Sequence, residues 1–247
     1  MYELIAFGII TGFLSGFFGV GGGMILVPML LFAGFIMKEA IAISIMQMVF
    51  SSIYGSFLNS KKAKNVLKDG LIIGIGGFFG GLQSGFIVSA FSNEILQYIF
   101  IAILFYSIIS IFKSPAQNDE TETKHKNRFI LFIIGALIGA IAMSIGIGGS
   151  ILLTPLLVRY LNYDLKKATS LSLFFVIFSS VAGFTSLTIN NHMLFQEGVT
   201  VGIASLIGVF FGIKFKNSIK STSYKKYILL LYLFVFTFMV YKTIFSY

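Results

Sequence analysis

Five apolar runs, at residues 3–19, 24–37, 40–59, 69–92 and 94–112, are separated by short polar or glycine-rich intervals, and the same plan returns after residue 128. The runs are too long and too uniformly apolar for barrel strands, which alternate over roughly ten residues, so the pattern predicts membrane helices. The second run is short. At 1.5 Å per residue it reaches about 21 Å, well under the roughly 30 Å of hydrocarbon that a full span must cross. The expected form is therefore a hairpin that descends along 3–19, turns near mid-membrane and returns along 24–37. Its counterpart, over 129–163, is expected to enter from the opposite face.

The turn of each hairpin carries the most specific motif in the chain. Gly19-Val20-Gly21-Gly22-Gly23-Met24-Ile25-Leu26-Val27-Pro28 recurs 127 residues later as Gly146-Ile147-Gly148-Gly149-Ser150-Ile151-Leu152-Leu153-Thr154-Pro155. Phe50-Ser51-Ser52-Ile53-Tyr54-Gly55 likewise recurs as Phe178-Ser179-Ser180-Val181-Ala182-Gly183, at an offset of 128. One residue has been inserted between Pro155 and Ala168. These repeats divide the chain into a first half, 1–113, a polar linker, 114–127, and a second half, 128–247. The expected fold is an all-α multi-pass membrane protein: an inverted-repeat helical bundle with two Gly/Pro-broken hairpins and eight to ten membrane segments. Matching glycine and proline interruptions in two apolar halves point to a transporter's substrate site, because irregular backbone at membrane depth survives only against protein or a polar cavity.

Composition and charge point to a class and favour an orientation. With 57% hydrophobic and 11% charged residues the chain departs from a water-soluble globule in both directions. The net charge of +9 arises from lysines in patches between apolar runs, the pattern of cytoplasmic loops and not of a nucleic-acid surface. An odd number of crossings per half places all but Lys38 and Lys242 of the eighteen basic residues on one side, whereas an even number splits them almost equally. The positive-inside rule thus favours odd parity, halves of opposite orientation, a cytoplasmic linker and an N-terminus outside the cell membrane of a bacterium or archaeon. The first run follows Met1-Tyr2-Glu3 with no basic residue and belongs to the repeat, so it reads as mature structure and not as a cleaved signal.

The chemistry available to the chain is limited. Without cysteine there is no disulfide, thiolate metal site or thiol relay. No metal cluster or P-loop is visible, and neither His125 nor His192 resembles a general base, so no cofactor, metal or enzymatic activity is expected. What remains is the backbone. Exposed N–H groups at a helix start carry partial positive charge and bind anions, and glycines let a cargo approach them. The candidate binding residues are Gly19, Gly21, Gly22, Gly23 and Pro28, with Gly146, Gly148, Gly149, Ser150 and Pro155 in the second copy. Gln47, Ser51, Ser52, Ser172, Ser179 and Ser180 join them, because the polar positions of the third segment recur in both halves. For any one serine, a bond to its own helix's carbonyl is the plainer reading. Gln47 and Gln83 either meet cargo or clamp two helices. The glycines at 8, 12 and 16, at 76, 77, 80, 81 and 85, and at 208 and 212 read as helix packing, and Asp69 and Glu197 as caps.

At the two glycine motifs and the Ser-Ser segments the chain resembles the TauE/SafE family of sulfite exporters over essentially its whole length, with Ser150 departing from a third adjacent glycine. The resemblance implies transport of sulfite, a sulfonate or a similar small anion. The competing reading is a non-transporting membrane scaffold or assembly factor. Cargo, coupling ion, direction and oligomeric state, a homodimer included, stay open.

Overall fold

In the computed structural model, residues 1–59, 67–113, 128–161, 163, 165–218 and 221–245 are described. Linker 114–127 and the lysines at 61, 62, 64, 124, 126 and 220 fall outside them. The described chain forms eleven helices and no strand: α1 Tyr2–Phe18, α2 Gly23–Phe32, α3 Met37–Asn59, α4 Leu67–Gly81, α5 Ser84–Ala90, α6 Asn93–Lys113, α7 Arg128–Ser144, α8 Ser150–Leu161, α9 Leu165–Ile189, α10 Phe195–Ser218 and α11 Ser221–Phe245. Helix satisfies each backbone polar group within its own segment, which uniformly apolar sequence in lipid demands.

Among the described residues six stretches, with α4 and α5 taken together, are long and apolar enough to cross a membrane, while α1, α2, α7 and α8 are shorter apolar helices. The protein is thus a multi-pass membrane helical bundle. The run at 69–92 differs from expectation in being broken at Leu82 and Gln83, between α4 and α5. The Gln83 residue is exposed at this break.

Local sequence explains the helix ends. α1 stops where Gly19 adopts φ 68° and its N–H bonds to Ser15 O at 2.7 Å, a left-handed cap that a residue with a Cβ resists. At the start of α3 the Glu39 carboxylate accepts the Ile36 N–H at 3.0 Å, satisfying one donor at the helix start. Glu197 lies in the first turn of α10, the favourable end of its dipole.

Packing follows the glycine rows. Gly8, Gly12 and Gly16 of α1 lie against the backbone of α10 at Val201, Ser205 and Val209, and Gly208 and Gly212 of α10 lie in turn against Ile9 and Phe13. The α4–α7 pair is built alike, Gly76 and Gly80 meeting Phe132 and Ala136 while Gly135 and Gly139 meet Ile73 and Gly77. Without side chains between them, the two backbones in each pair approach closely, which is how helices gain contact in a solvent as apolar as themselves. The neighbour relations persist when the halves are exchanged: α1 with α10 becomes α7 with α4, α3 with α10 becomes α9 with α4, and α3–α9 and α6–α11 map onto themselves.

The described basic residues lie mostly at one end. Lys38 N bonds to Asn93 Oδ1 at 3.1 Å and Ser89 Oγ to His192 Nε2 at 2.9 Å, which gathers the α2–α3, α5–α6 and α9–α10 connections at one end of the bundle. At the other end Lys225 Nζ donates to Phe112 O at 3.1 Å and Lys216 Nζ to Thr169 Oγ1 at 2.9 Å, bringing together the starts of α9 and α11 and the ends of α6 and α10. The α1–α2 hairpin opens toward the first end and the α7–α8 hairpin toward the second, the end that holds Lys113, Arg128, Arg159, Lys214 and Lys226.

Candidate functional site at the two glycine turns

The tips of the two hairpins meet inside the bundle. Gly19, Gly21 and Gly22 adopt φ of 68°, 77° and 85°, and Gly146 and Gly148 adopt 68° and 70°, conformations that cost other residues about 1 kcal/mol or more. A Cβ on Gly23 would collide with the Gly146 carbonyl, and one on Gly148 would lie 3.2 Å from Val20 O, so backbone touches backbone across the junction. Gly22 caps α2, its carbonyl accepting the N–H groups of Ile25 and Leu26 at 3.1 and 3.0 Å. In the second turn Gly149 O accepts from Leu152 and Leu153 at 3.2 and 2.8 Å. The first-turn N–H groups at Gly23 and Met24, and at Ser150, have no carbonyl in their own helix to bond.

α3 and α9 flank the junction with their middles. Ser44 donates to Gly146 O at 2.5 Å and so ties the first half's third helix to the second half's turn. Ser51 Oγ lies 3.4 Å from Gly21 O and 3.5 Å from Met48 O. The Met48 side chain fills the gap between Gly21 and Gly148. The Gln47 amide lies against Gly22, where a Cβ would stand 2.6 Å from Oε1 and 2.7 Å from Nε2. Gln47 is 0% exposed and neither amide atom has a hydrogen-bond partner. A buried polar group left in that state costs about 1–3 kcal/mol. The Oγ atoms of Ser15, Ser52 and Ser150 are buried and unpartnered as well.

The residues picked out from sequence separate into those at the junction and those beside it. Gly19, Gly21, Gly22, Gly23, Gly146, Gly148, Gly149 and Ser150 form the two turns, with Gln47 and Ser51 against the first. Ser172 accepts a hydrogen bond from Thr154 at 3.0 Å, joining α9 to α8. Ser179 and Ser180 point their hydroxyls at carbonyls of their own helix, Phe175 O at 3.3 Å and Ile177 O at 3.3 Å. Pro28 and Pro155 lie inside α2 and α8, past the turns, where each removes one helix hydrogen bond.

Two features were not drawn from sequence. Phe175 packs its ring onto Gly149 and Gly77. Lys216, whose place near a helix end reads as a loop charge, is 3% exposed in the last turn of α10, donating to the Thr169 and Ser170 hydroxyls at 2.9 and 3.1 Å with the Tyr224 ring 5.9 Å away. Thr169 backs directly onto Gly19, so this buried cation stands one residue from the first turn. Among the described residues no group of three or more His, Cys, Asp or Glu could hold a metal ion.

Broken helices meeting within a multi-pass bundle, with orphaned polar groups at the meeting point, define a membrane transporter architecture. The family model described as sulfite exporter TauE/SafE matches residues 4–239, and the chain belongs to that family. A probable membrane transporter protein of Methanocaldococcus jannaschii is 30% identical over 219 residues, covering 83% of this chain and 80% of its own. The Bacillus subtilis probable membrane transporter proteins YdhB and YunE are 25% and 24% identical, covering 84% and 92% of this chain and 87% and 91% of theirs. No solved structure matches.

Proposed function

We propose that this protein carries a small anion, sulfite or another sulfur-containing or organic anion, across the cell membrane through a site at the junction of the two glycine turns. The observation that carries the reading is the Gln47 amide, fully buried, without a partner, and set against the positive-φ glycine that caps α2. A helix start with unsatisfied N–H groups attracts negative charge, a neutral amide beside it adds hydrogen bonds, and the buried Lys216 ammonium behind Gly19 adds positive potential on the same side. The remaining contacts of this site come from Ser44, Ser51 and Ser150. Residues 1–113 and 128–247 act as two inverted repeats joined by a cytoplasmic linker, with the N-terminus outside, and alternating access moves one hairpin-bearing repeat against the other. Transport proceeds without catalysis, since among the described residues the site's serines have no general base beside them to activate a hydroxyl.

Ligand-dependent stabilisation of the purified protein tests this reading against a scaffold role. A ligand that binds only the folded state raises its stability by about 2.7 kcal/mol at a hundredfold excess over Kd. A rise in unfolding temperature with sulfite, thiosulfate or sulfoacetate is expected. Indifference to every anion in a panel that also includes sulfate and acetate contradicts it.

A further inference from the structure

The two halves repeat one plan, yet the site between them is not symmetric. With the offsets of 127 and 128 residues, Gly22 corresponds to Gly149, Ser44 to Ser172 and Ser51 to Ser179, but Gln47 corresponds to Phe175. Both side chains do the same geometric job, each buried and each pressed against the glycine before its broken helix. One brings an amide and the other a hydrocarbon ring. The first half also keeps the Ser44 hydroxyl turned across the junction onto Gly146 O, whereas Ser172 is engaged by Thr154 within its own half.

Resting on the anion-site reading above, we infer that recognition lies in one half only: Gln47 is the specificity-determining residue for a single anion per chain, and Phe175 closes the equivalent place in the second half. The amide also defines the class of cargo. Both of its polar atoms lack partners, so the site offers a donor and an acceptor whichever way the amide is turned. A bare oxyanion has only acceptor oxygens; it satisfies the N–H₂ group and leaves the amide oxygen buried and facing negative charge. A cargo that carries an O–H or N–H beside its charged oxygens satisfies both. The favoured cargo is therefore a small hydroxy- or amino-substituted sulfonate or carboxylate, or a singly protonated oxyanion. A site built to bond such a group discriminates strongly against the analogue without it, because its own polar atom is then stranded.

Calorimetric titration of the purified full-length protein with two matched pairs, hydroxymethanesulfonate against methanesulfonate and glycolate against acetate, decides the point. The hydroxylated member of each pair is expected to bind about tenfold more tightly or better, with one molecule per chain. Gln47→Leu should erase that preference while leaving weak binding of all four, and Phe175→Leu should keep it. Equal affinities within both pairs in the unaltered protein, or a preference that survives Gln47→Leu, would overturn the inference, as would two molecules per chain. Should Gln47→Leu fail to fold, Gln47→Asn, which withdraws the amide by one methylene, must lower the preference for the inference to stand. Failure of the unaltered protein to bind any of the four contradicts the anion site itself, an outcome distinct from binding without preference.

Discussion

At the scale of single residues, the junction is held by backbone conformations and hydrogen bonds whose removal has distinct signatures. Gly22 combines φ 85° with the Gln47 amide at its Cα, so Gly22→Val meets both strain and a collision. Gly149 is not in the left-handed region, but Phe175 occupies the space that a side chain there would need. Gly22→Val and Gly149→Val should both lose flux, and reducing the ring with Phe175→Leu should partly rescue Gly149→Ala but not Gly22→Val. Flux assays on the double and single variants check this. Ser44→Ala removes the hydroxyl that crosses to Gly146 O and should lower stability by about 0.5–1.5 kcal/mol, measured by thermal unfolding in detergent. His192, at the end of the bundle with few basic residues, has its pKa held below the ordinary 6.5 by burial and by the Lys38 charge. The unfolded chain therefore takes up its proton first as pH falls. The stability this histidine contributes is complete above 6.5 and is lost as pH drops through the lowered folded value, and His192→Gln should flatten that part of the stability profile.

At the scale of helices, the glycine rows and the glycine turns are different devices built from the same residue. The rows were legible as packing because their spacing of four puts small residues on one face, and the turns stood apart because three glycines cluster and a proline follows. Gly12 faces Ser205 across the α1–α10 contact and Gly80 faces Ala136 across α4–α7. Gly12→Leu and Gly80→Leu should each force a helix pair apart and yield protein that aggregates on extraction, as size-exclusion profiles would reveal, while leaving insertion of the individual helices intact. Other features escaped the sequence for physical reasons. The break between α4 and α5 falls at Gly80-Gly81-Leu82-Gln83-Ser84, inside a run that stays apolar on both sides, and those glycines and that amide read equally as contacts within one continuous span. Lys216 reads as a solvated charge, since a basic residue at the end of a span usually reaches water; its burial depends on hydroxyls of α9, 46 and 47 residues earlier in the chain, a tertiary arrangement that no local pattern encodes.

At the scale of the whole molecule, the sequence repeat is matched by exchangeable helix neighbours, and the inferred specificity rests on where the two halves differ. The repeat was readable because offsets of 127 and 128 preserve glycine, proline and serine at the positions that bend or line the backbone. The asymmetry at Gln47 and Phe175 was equally present in the aligned halves, but its meaning depends on knowing that both side chains press on equivalent glycines. The segregation of basic residues to one end of the bundle predicts that this end is cytoplasmic. In this cysteine-free chain, Lys226→Cys should resist an impermeant thiol reagent on intact cells and His192→Cys should react, with the reverse pattern contradicting the assigned orientation. The most direct test of the central claim is sulfite and sulfonate flux in proteoliposomes containing either the unaltered protein or Gly22→Val, inserted to equal density. Saturable flux is expected in the first and none in the second; equal flux in both would show that the anion does not pass through the glycine turns.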